Sequence, residues 1–330
     1  MKQNGGPAVD SLERFDFEGS TQWALVRGRR WLSPVLLLVQ AGPGFPMIHE
    51  ARALEQALHL EDRFRVVYWD QRGTGKSFSP AEGTGRLRVD DLIGDVHAMV
   101  GALRTRLEVE QVHVVGFSFG GSIAAVAAAL QPAFLRSLTL VGPDVDLVEA
   151  EQFAYAFALA EAERRGHRRA LRALRDIGPP PHVDAKRFLA RIKWVTNFGG
   201  IDRRATFGKL VRAHVWRLFA SPHYSLAEVA RAIRGMSVTQ GRLLADLQRF
   251  NLLARASHLR VPVAVFQGRR DVAAPPKLTL RYYEGLAAPQ GKELVWFEDS
   301  AHMPHVEEPD RFRLALIDFT SRGHEPPLAE

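Results

Sequence analysis

Apolar residues along this chain fall into runs of two kinds. Residues 35–40 and 64–69 are almost continuously apolar, the pattern of strands buried on both faces, whereas residues 15–17 and 23–27 partly alternate, as strands with one solvated face do. Residues 89–107 have the spacing of an amphipathic helix. A further apolar strand covers residues 112–115, an alanine-rich helical run covers 122–130, and residues 135–141 read as the next strand. From there to about residue 256 the pattern is helical, rich in arginine, alanine and aromatic residues. The strand-helix rhythm then returns: strand 261–267, helix 276–286, strand 293–297, helix 309–320. The economical reading is an α/β core with a mostly parallel sheet flanked by helices, formed by residues 1–143 and 256–330 and interrupted by a helical cap over 144–255. No internal repeat is visible, and Pro179-Pro180-Pro181 is a stiff break inside the insertion.

Between the strand at 112–115 and the helix at 122–130 stands Gly116-Phe117-Ser118-Phe119-Gly120. A chain that turns sharply from strand to helix pushes Ser118 to the tip of the turn, and the flanking glycines admit the close backbone approach this needs. The amide of Phe119 then points to the same spot, as half of an oxyanion hole. The pentapeptide alone is a weak signal, since roughly 0.1 matches arise by chance in a chain of this length. The strand before it and the helix after it carry the argument.

Length and composition add limits. With 330 residues and 46% hydrophobic content the chain can bury a large core. It has no cysteine, which removes disulfides, thiolate nucleophiles and cysteine metal sites. The N-terminus lacks an apolar signal region and no apolar run spans a bilayer, so a cytoplasmic protein with no membrane span is expected. The net charge of +7 comes from arginine. Arg165, Arg168, Arg169, Arg172 and Arg175 repeat at helical spacing, which makes a solvated helix face; no nucleic-acid recognition motif accompanies them.

A serine hydroxyl is a poor nucleophile until a base removes its proton, and that base needs a third group to orient it. Asp271 follows the strand at 261–267, and His302 follows the strand at 293–297. Both fall in loops after the last strands, and the order Ser118, Asp271, His302 is that of the α/β-hydrolases. Rivals remain in Asp144 and Asp146, after the strand ending at Val141, for the acid, and in His305 for the base. His49, His97 and His113 read as surface or packing residues, and Asp299 as a turn former. The second oxyanion donor is expected in Ala41-Gly42-Pro43-Gly44, after the strand at 35–40, with Gly42 as the candidate.

Four segments together resemble the proline iminopeptidase group of α/β-hydrolases. They are the Gly42-Pro43-Gly44 loop, Asp70-Gln71-Arg72-Gly73-Thr74-Gly75-Lys76-Ser77, Gly116 to Gly121, and Ser300-Ala301-His302. The resemblance covers about residues 10–143 and 256–322. It implies an α/β-hydrolase fold with a cap over the site, a nucleophile at Ser118, an acid at Asp271, a base at His302, and oxyanion amides at Gly42 and Phe119. Two departures stand out. The family's His-Gly-Gly-Pro-Gly reads here as Gln40-Ala41-Gly42-Pro43-Gly44. Its cap segment Glu-Asn-His-Tyr-Phe, whose carboxylate holds the substrate's amino end, reads as Ser221-Pro222-His223-Tyr224-Ser225. Glu149, Glu151 and Glu228 are the other cap acids, and most of them read as surface residues. The cap aromatics Phe153, Phe157, Trp194, Phe198, Trp216 and Phe219 read as helix packing.

Gly75-Lys76-Ser77 imitates a phosphate-binding loop, but that loop needs glycine where Asp70 stands. Asp70 and Arg72 are expected instead to brace the Gly42 loop. The expected function is thus a cofactor-free, metal-free serine hydrolase acting on a small molecule or short peptide, as an aminopeptidase or amidase. An esterase or lactonase is the alternative within the class, and a non-catalytic binding protein the alternative outside it.

Overall fold

The computed structural model describes residues 7–79 and 87–322; the first residues of the N-terminus, read above for a signal region, lie outside them. The chain opens with β1 (Val9–Phe17) and β2 (Ser20–Gly28), followed by β3 (Val35–Val39), α1 (Ala51–Leu58), β4 (Arg65–Asp70), α2 (Val89–Arg106), β5 (Val112–Phe117), α3 (Phe119–Leu130) and β6 (Leu135–Val141). Between β6 and β7 (Val263–Gly268) lie α4 (Leu147–Arg164), α5 (Arg168–Ile177), α6 (Ala185–Asn197), α7 (Phe207–Ala220), α8 (Leu226–Leu247) and the short α9 (Leu252–Arg255). After β7 come α10 (Pro276–Gly285), β8 (Lys292–Phe297), α11 (Pro304–Glu307) and α12 (Pro309–Ser321). Among the described residues no helix is long and apolar enough to cross a membrane.

The strands form one eight-stranded sheet in the order β1-β2-β4-β3-β5-β6-β7-β8. β1 and β2 pair antiparallel, as do β2 and β4, and every other pairing is parallel. Side chains alternate across it. Leu37, Val39, Val114, Leu138 and Val265 face α2 and α3, whereas Leu36, Leu38, Val115, Val141 and Phe266 face α1 and α12. Both faces are covered, which explains why β3, β4 and β5 are buried throughout. This is the α/β-hydrolase architecture expected from the sequence. Pro262 trims the strand expected from residue 261: without an N–H it cannot join the ladder, and only its carbonyl accepts, from Leu138. α1, a helix of eight residues, was not anticipated.

The order of strands also locates the site. β4 lies on one side of β3 and β5 on the other, so the connections leaving β3 and β5 diverge and open a crevice at their carboxyl ends. The Gly42 loop leaves one of those ends and Ser118 the other.

The helices between β6 and β7 have an apolar cluster of their own, in which Ala158, Ala162, Leu174, Trp194 and Val195 are buried. Side chains start them: Asp146, His167, Asp184, Thr206 and Ser225 each accept a first-turn amide. The arginines of α5 are exposed opposite buried Ala170 and Leu174, as their spacing suggested. Phe153, Trp216 and Phe219, expected to pack, are exposed.

Candidate active site

Ser118 sits at φ 51°, ψ −126°, a conformation that non-glycine residues rarely adopt. Holding it there costs on the order of 1–3 kcal/mol. The surrounding backbone enforces it: Ser118 N donates to Val141 O at 2.8 Å, and Gly121 N donates back to Ser118 O at 2.9 Å. The glycines are required by close approach. A Cβ at Gly116 would lie 2.4 Å from Gly121 Cα, and one at Gly120 would lie 2.0 Å from the Gln40 carbonyl oxygen. The start of α3 thus packs directly onto the end of β3. Gly42, at φ 58°, follows two residues later, and the Phe119 amide is among the first-turn donors that α3 cannot satisfy internally.

Asp271 and His302 are brought together from loops after β7 and β8, with His302 Nδ1 and Asp271 Oδ2 2.7 Å apart. Asp271 Oδ1 accepts from Ala274 N at 2.8 Å, and Oδ2 also accepts from Gln267 Nε2 at 3.2 Å. Gln267 is itself fixed, since its Oε1 accepts from Thr279 Oγ1 at 2.8 Å. The histidine loop is anchored through Glu307, which accepts from Ala301 N at 2.7 Å and from Arg203 N at 2.9 Å. His302 N donates to Ile201 O, a residue between α6 and α7. Gly142 lies against the pair: a Cβ there would be 3.1 Å from Asp271 Oδ2 and 3.2 Å from His302 Nδ1. Burial pulls the His302 pKa down, but the charge and hydrogen bond of Asp271, with the charge of Asp144 added, raise it above the ordinary 6.5.

Asp144 is the residue whose position the sequence did not convey. It does not replace Asp271 on the imidazole. Its Oδ2 accepts instead from Ser118 Oγ at 3.5 Å, and burial is the chief cause that pushes its carboxyl up to about 6. Among the described residues no hydrogen bond joins Ser118 to His302. The other rivals have structural roles. Asp146 caps α4 and accepts from Asn251 Nδ2 at 3.1 Å. His305 packs between Phe117 and Phe312, and burial together with nearby His302 lowers its pKa to about 4. His113 is buried on Ser137.

Asp70 does brace the segment after the Gly42 loop. Completely buried, it accepts from Met47 N at 2.7 Å, Ile48 N at 3.0 Å and Lys76 N at 2.8 Å, and from the hydroxyl of Tyr224. Arg72 does something else, pairing with Asp95 of α2 at 2.7 Å. Asp70→Ala would strand those donors in the interior, and we expect it to cost about 3–5 kcal/mol, read from the urea midpoint; a loss under ~1 kcal/mol would mean that other acceptors take over.

Most of the remaining polar groups join the inserted helices to the core. Lys76 donates to Glu228 Oε1 at 2.5 Å and to the His223 carbonyl at 2.8 Å, so its ammonium is committed to the insertion. Glu151, one of the cap acids of which most read as surface residues, is instead fully buried and ion-paired within the insertion, with Arg191 of α6 at 2.8 Å. Glu149 is paired with Arg281. Metal-ligating side chains meet at His49, Glu50 and His214. There His49 Nε2 lies 2.9 Å from Glu50 Oε1 and 3.1 Å from His214 Nδ1, while Arg217 holds the other Glu50 oxygen at 2.9 Å. These contacts tie α7 to the segment before α1.

A family model described as the alpha/beta hydrolase fold matches residues 34–309, and the chain belongs to that family. Its relatives carry several hydrolase names, among them a putative carbamate hydrolase, RutD, of Agrobacterium fabrum, 27% identical over 89% of this chain and 96% of that protein. The chain is 26% identical to a probable aminopeptidase, YbaC, of Bacillus subtilis over 94% of its own length and 96% of that protein. It is 26% identical to the proline iminopeptidase of Heyndrickxia coagulans, over 77% of its length and 80% of that enzyme. Among solved structures, the proline iminopeptidase of Mycobacterium smegmatis superposes with a TM-score of 0.64 at 21% identity, covering 95% of this chain and 99% of that one; at that identity the likeness shows the fold.

Proposed function

We propose that this α/β-hydrolase is a serine hydrolase that cleaves a small acyl substrate through an acyl-enzyme, acting as an aminopeptidase or amidase of the proline iminopeptidase type. The observation that carries the reading is the strained Ser118 elbow at the same carboxyl end of the strands as the Asp271–His302 pair. On this reading Oγ leaves Asp144 for the imidazole when substrate binds, since catalytic hydrogen bonds often tighten only in the complex. His302 Nε2 then takes the Ser118 proton as Oγ bonds to the substrate carbonyl carbon. Asp271, on Nδ1, keeps the proton there and stabilises the imidazolium. The carbonyl oxygen gathers negative charge against the Gly42 and Phe119 amides. Collapse breaks the bond to the leaving group, which departs with the proton from His302. Water, deprotonated by the same imidazole, repeats the sequence and frees the acid. The helices of residues 147–247 act as the cap that covers the crevice.

The names of two relatives, aminopeptidase and proline iminopeptidase, favour amide substrates; Ser221 in place of the family's glutamate, and relatives named carbamate hydrolase, favour esters, lactones or carbamates as the second reading. A panel of proline and alanine arylamides beside short p-nitrophenyl esters and lactones separates them, and hydrolysis confined to the esters would remove the aminopeptidase reading. On an uncharged ester, kcat/KM should fall on the acid side as His302 takes up a proton. Because the His302 pKa is raised, the midpoint is expected above the ordinary histidine value; a midpoint well below it would contradict His302 as the base.

A further inference from the structure

Asp144 takes no part in the acyl transfer just described, yet it lies beside the attacking atom, its Oδ2 3.5 Å from Ser118 Oγ. Among the described residues it makes no ion pair. The groups whose charges reach it are His302 and Asp271 from the loops after β8 and β7, and Arg191 from α6, whose guanidinium is bonded to Glu151 at 2.8 Å. A carboxylate withdrawn from water without a paired cation is costly. Asp144 as a residue is only partly buried, and a cation brought by the substrate would supply the missing partner.

We propose that Asp144 receives the ammonium group of the substrate's acyl part, so that the enzyme takes acyl compounds with a free, protonated amine on the carbon next to the carbonyl: unblocked aminoacyl amides and peptides. The inference rests on Ser118 being the nucleophile. Once Oγ has bonded to the carbonyl carbon, an α-amino nitrogen is three bonds away, which puts it ~2.5–3.7 Å from Oγ. Oγ leaves Asp144 as it engages the imidazole, and the carboxylate oxygen that stood 3.5 Å from it stays within reach of that nitrogen for a charge-assisted hydrogen bond of ~2.7–2.9 Å. The selectivity has a repulsive side as well. The oxyanion forms on the same carbon, and an unneutralised carboxylate opposes it, so a neutral acyl group is penalised where an ammonium is not. Asp144 on this account does from the core what a cap glutamate does elsewhere in the family.

The test compares alanine p-nitroanilide, N-acetylalanine p-nitroanilide and p-nitrophenyl propionate on the wild type and on Asp144→Asn. The wild type is expected to prefer the free amine over its acetylated twin. Asp144→Asn should cut that preference by about 10- to 100-fold, mainly through KM, and Asp144→Glu should recover part of it. A second readout needs no variant: the wild-type profile for alanine p-nitroanilide should descend above pH ~8, where the substrate ammonium loses its proton, and the profile for the propionate should not. Equal cleavage of the acetylated and free amides by the wild type would overturn the proposal. So would an equal loss on all three substrates in Asp144→Asn, which would make Asp144 a second support for His302. Failure of the underlying reading looks different: Ser118→Ala would then still hydrolyse the propionate, whatever the substrate preference.

Discussion

Ser118→Ala is expected to lower kcat by about 10⁴ to 10⁶ on any substrate that the wild type hydrolyses, because on this account Ser118 Oγ is the atom that forms the acyl-enzyme. The substitution should leave the melting temperature almost unchanged. Alanine keeps the backbone hydrogen bonds to Val141 and Gly121, faces the same positive φ as serine, and gives up only a long hydrogen bond to Asp144. Glycine at this position would relax the strained backbone, so Ser118→Gly should be at least as stable as the wild type and equally inactive. The two melting curves and a single-turnover assay check both statements. A Ser118→Ala protein that retained substantial turnover would require another nucleophile.

Asp271→Asn is expected to lower kcat/KM by about 10³ to 10⁴ while the fold persists. The reason lies in the donors around the carboxylate. Oδ1 accepts from the Ala274 amide and Oδ2 from Gln267 Nε2, beside His302 Nδ1. An asparagine keeps its carbonyl oxygen toward the fixed Ala274 amide and so turns its NH₂ toward the imidazole. Nδ1 then becomes the acceptor and the proton moves to Nε2, the nitrogen that must be bare to take the serine proton. Loss of the negative charge should also move the acid limb of any residual activity to lower pH, since Asp271 is the main cause of the raised His302 pKa. A kinetic profile of Asp271→Asn that matched the wild type in both rate and midpoint would remove Asp271 from the mechanism.

The parts of this site that were legible in the sequence are those fixed by local chain geometry. A glycine-flanked serine between an apolar strand and an alanine-rich helix has one way to turn, and the acid and histidine each directly follow a recognisable strand. Asp70 was readable as a brace because an acidic residue at a strand end faces whatever loop starts beside it; its donors Met47 and Ile48 were not specified, and Arg72 went to α2 because Asp95 is there. What was not legible depends on contacts across the sheet. Asp144 follows β6, and only the pairing of β6 with β5 puts it beside Ser118. Gln267 and Glu307 look like ordinary polar residues until the fold places them under Asp271 and the His302 loop. Glu151 is a surface residue by type, and the opposing charge of Arg191, forty positions on, keeps it in the interior. Amphipathic spacing found the inserted helices, but Trp216 and Phe219 of α7 lie outside their apolar cluster, and hydrophobicity alone does not distinguish a packed aromatic from an exposed one.

The most direct measurement is covalent labelling with a fluorophosphonate, read by intact mass and peptide mapping on the wild type, Ser118→Ala and Asp271→Asn. One adduct per chain on Ser118, absent from Ser118→Ala and formed much more slowly on Asp271→Asn, is the expected result. A wild-type protein that takes up no label, or takes it on a residue other than Ser118, would contradict the proposal that an imidazole held by Asp271 makes this serine a nucleophile.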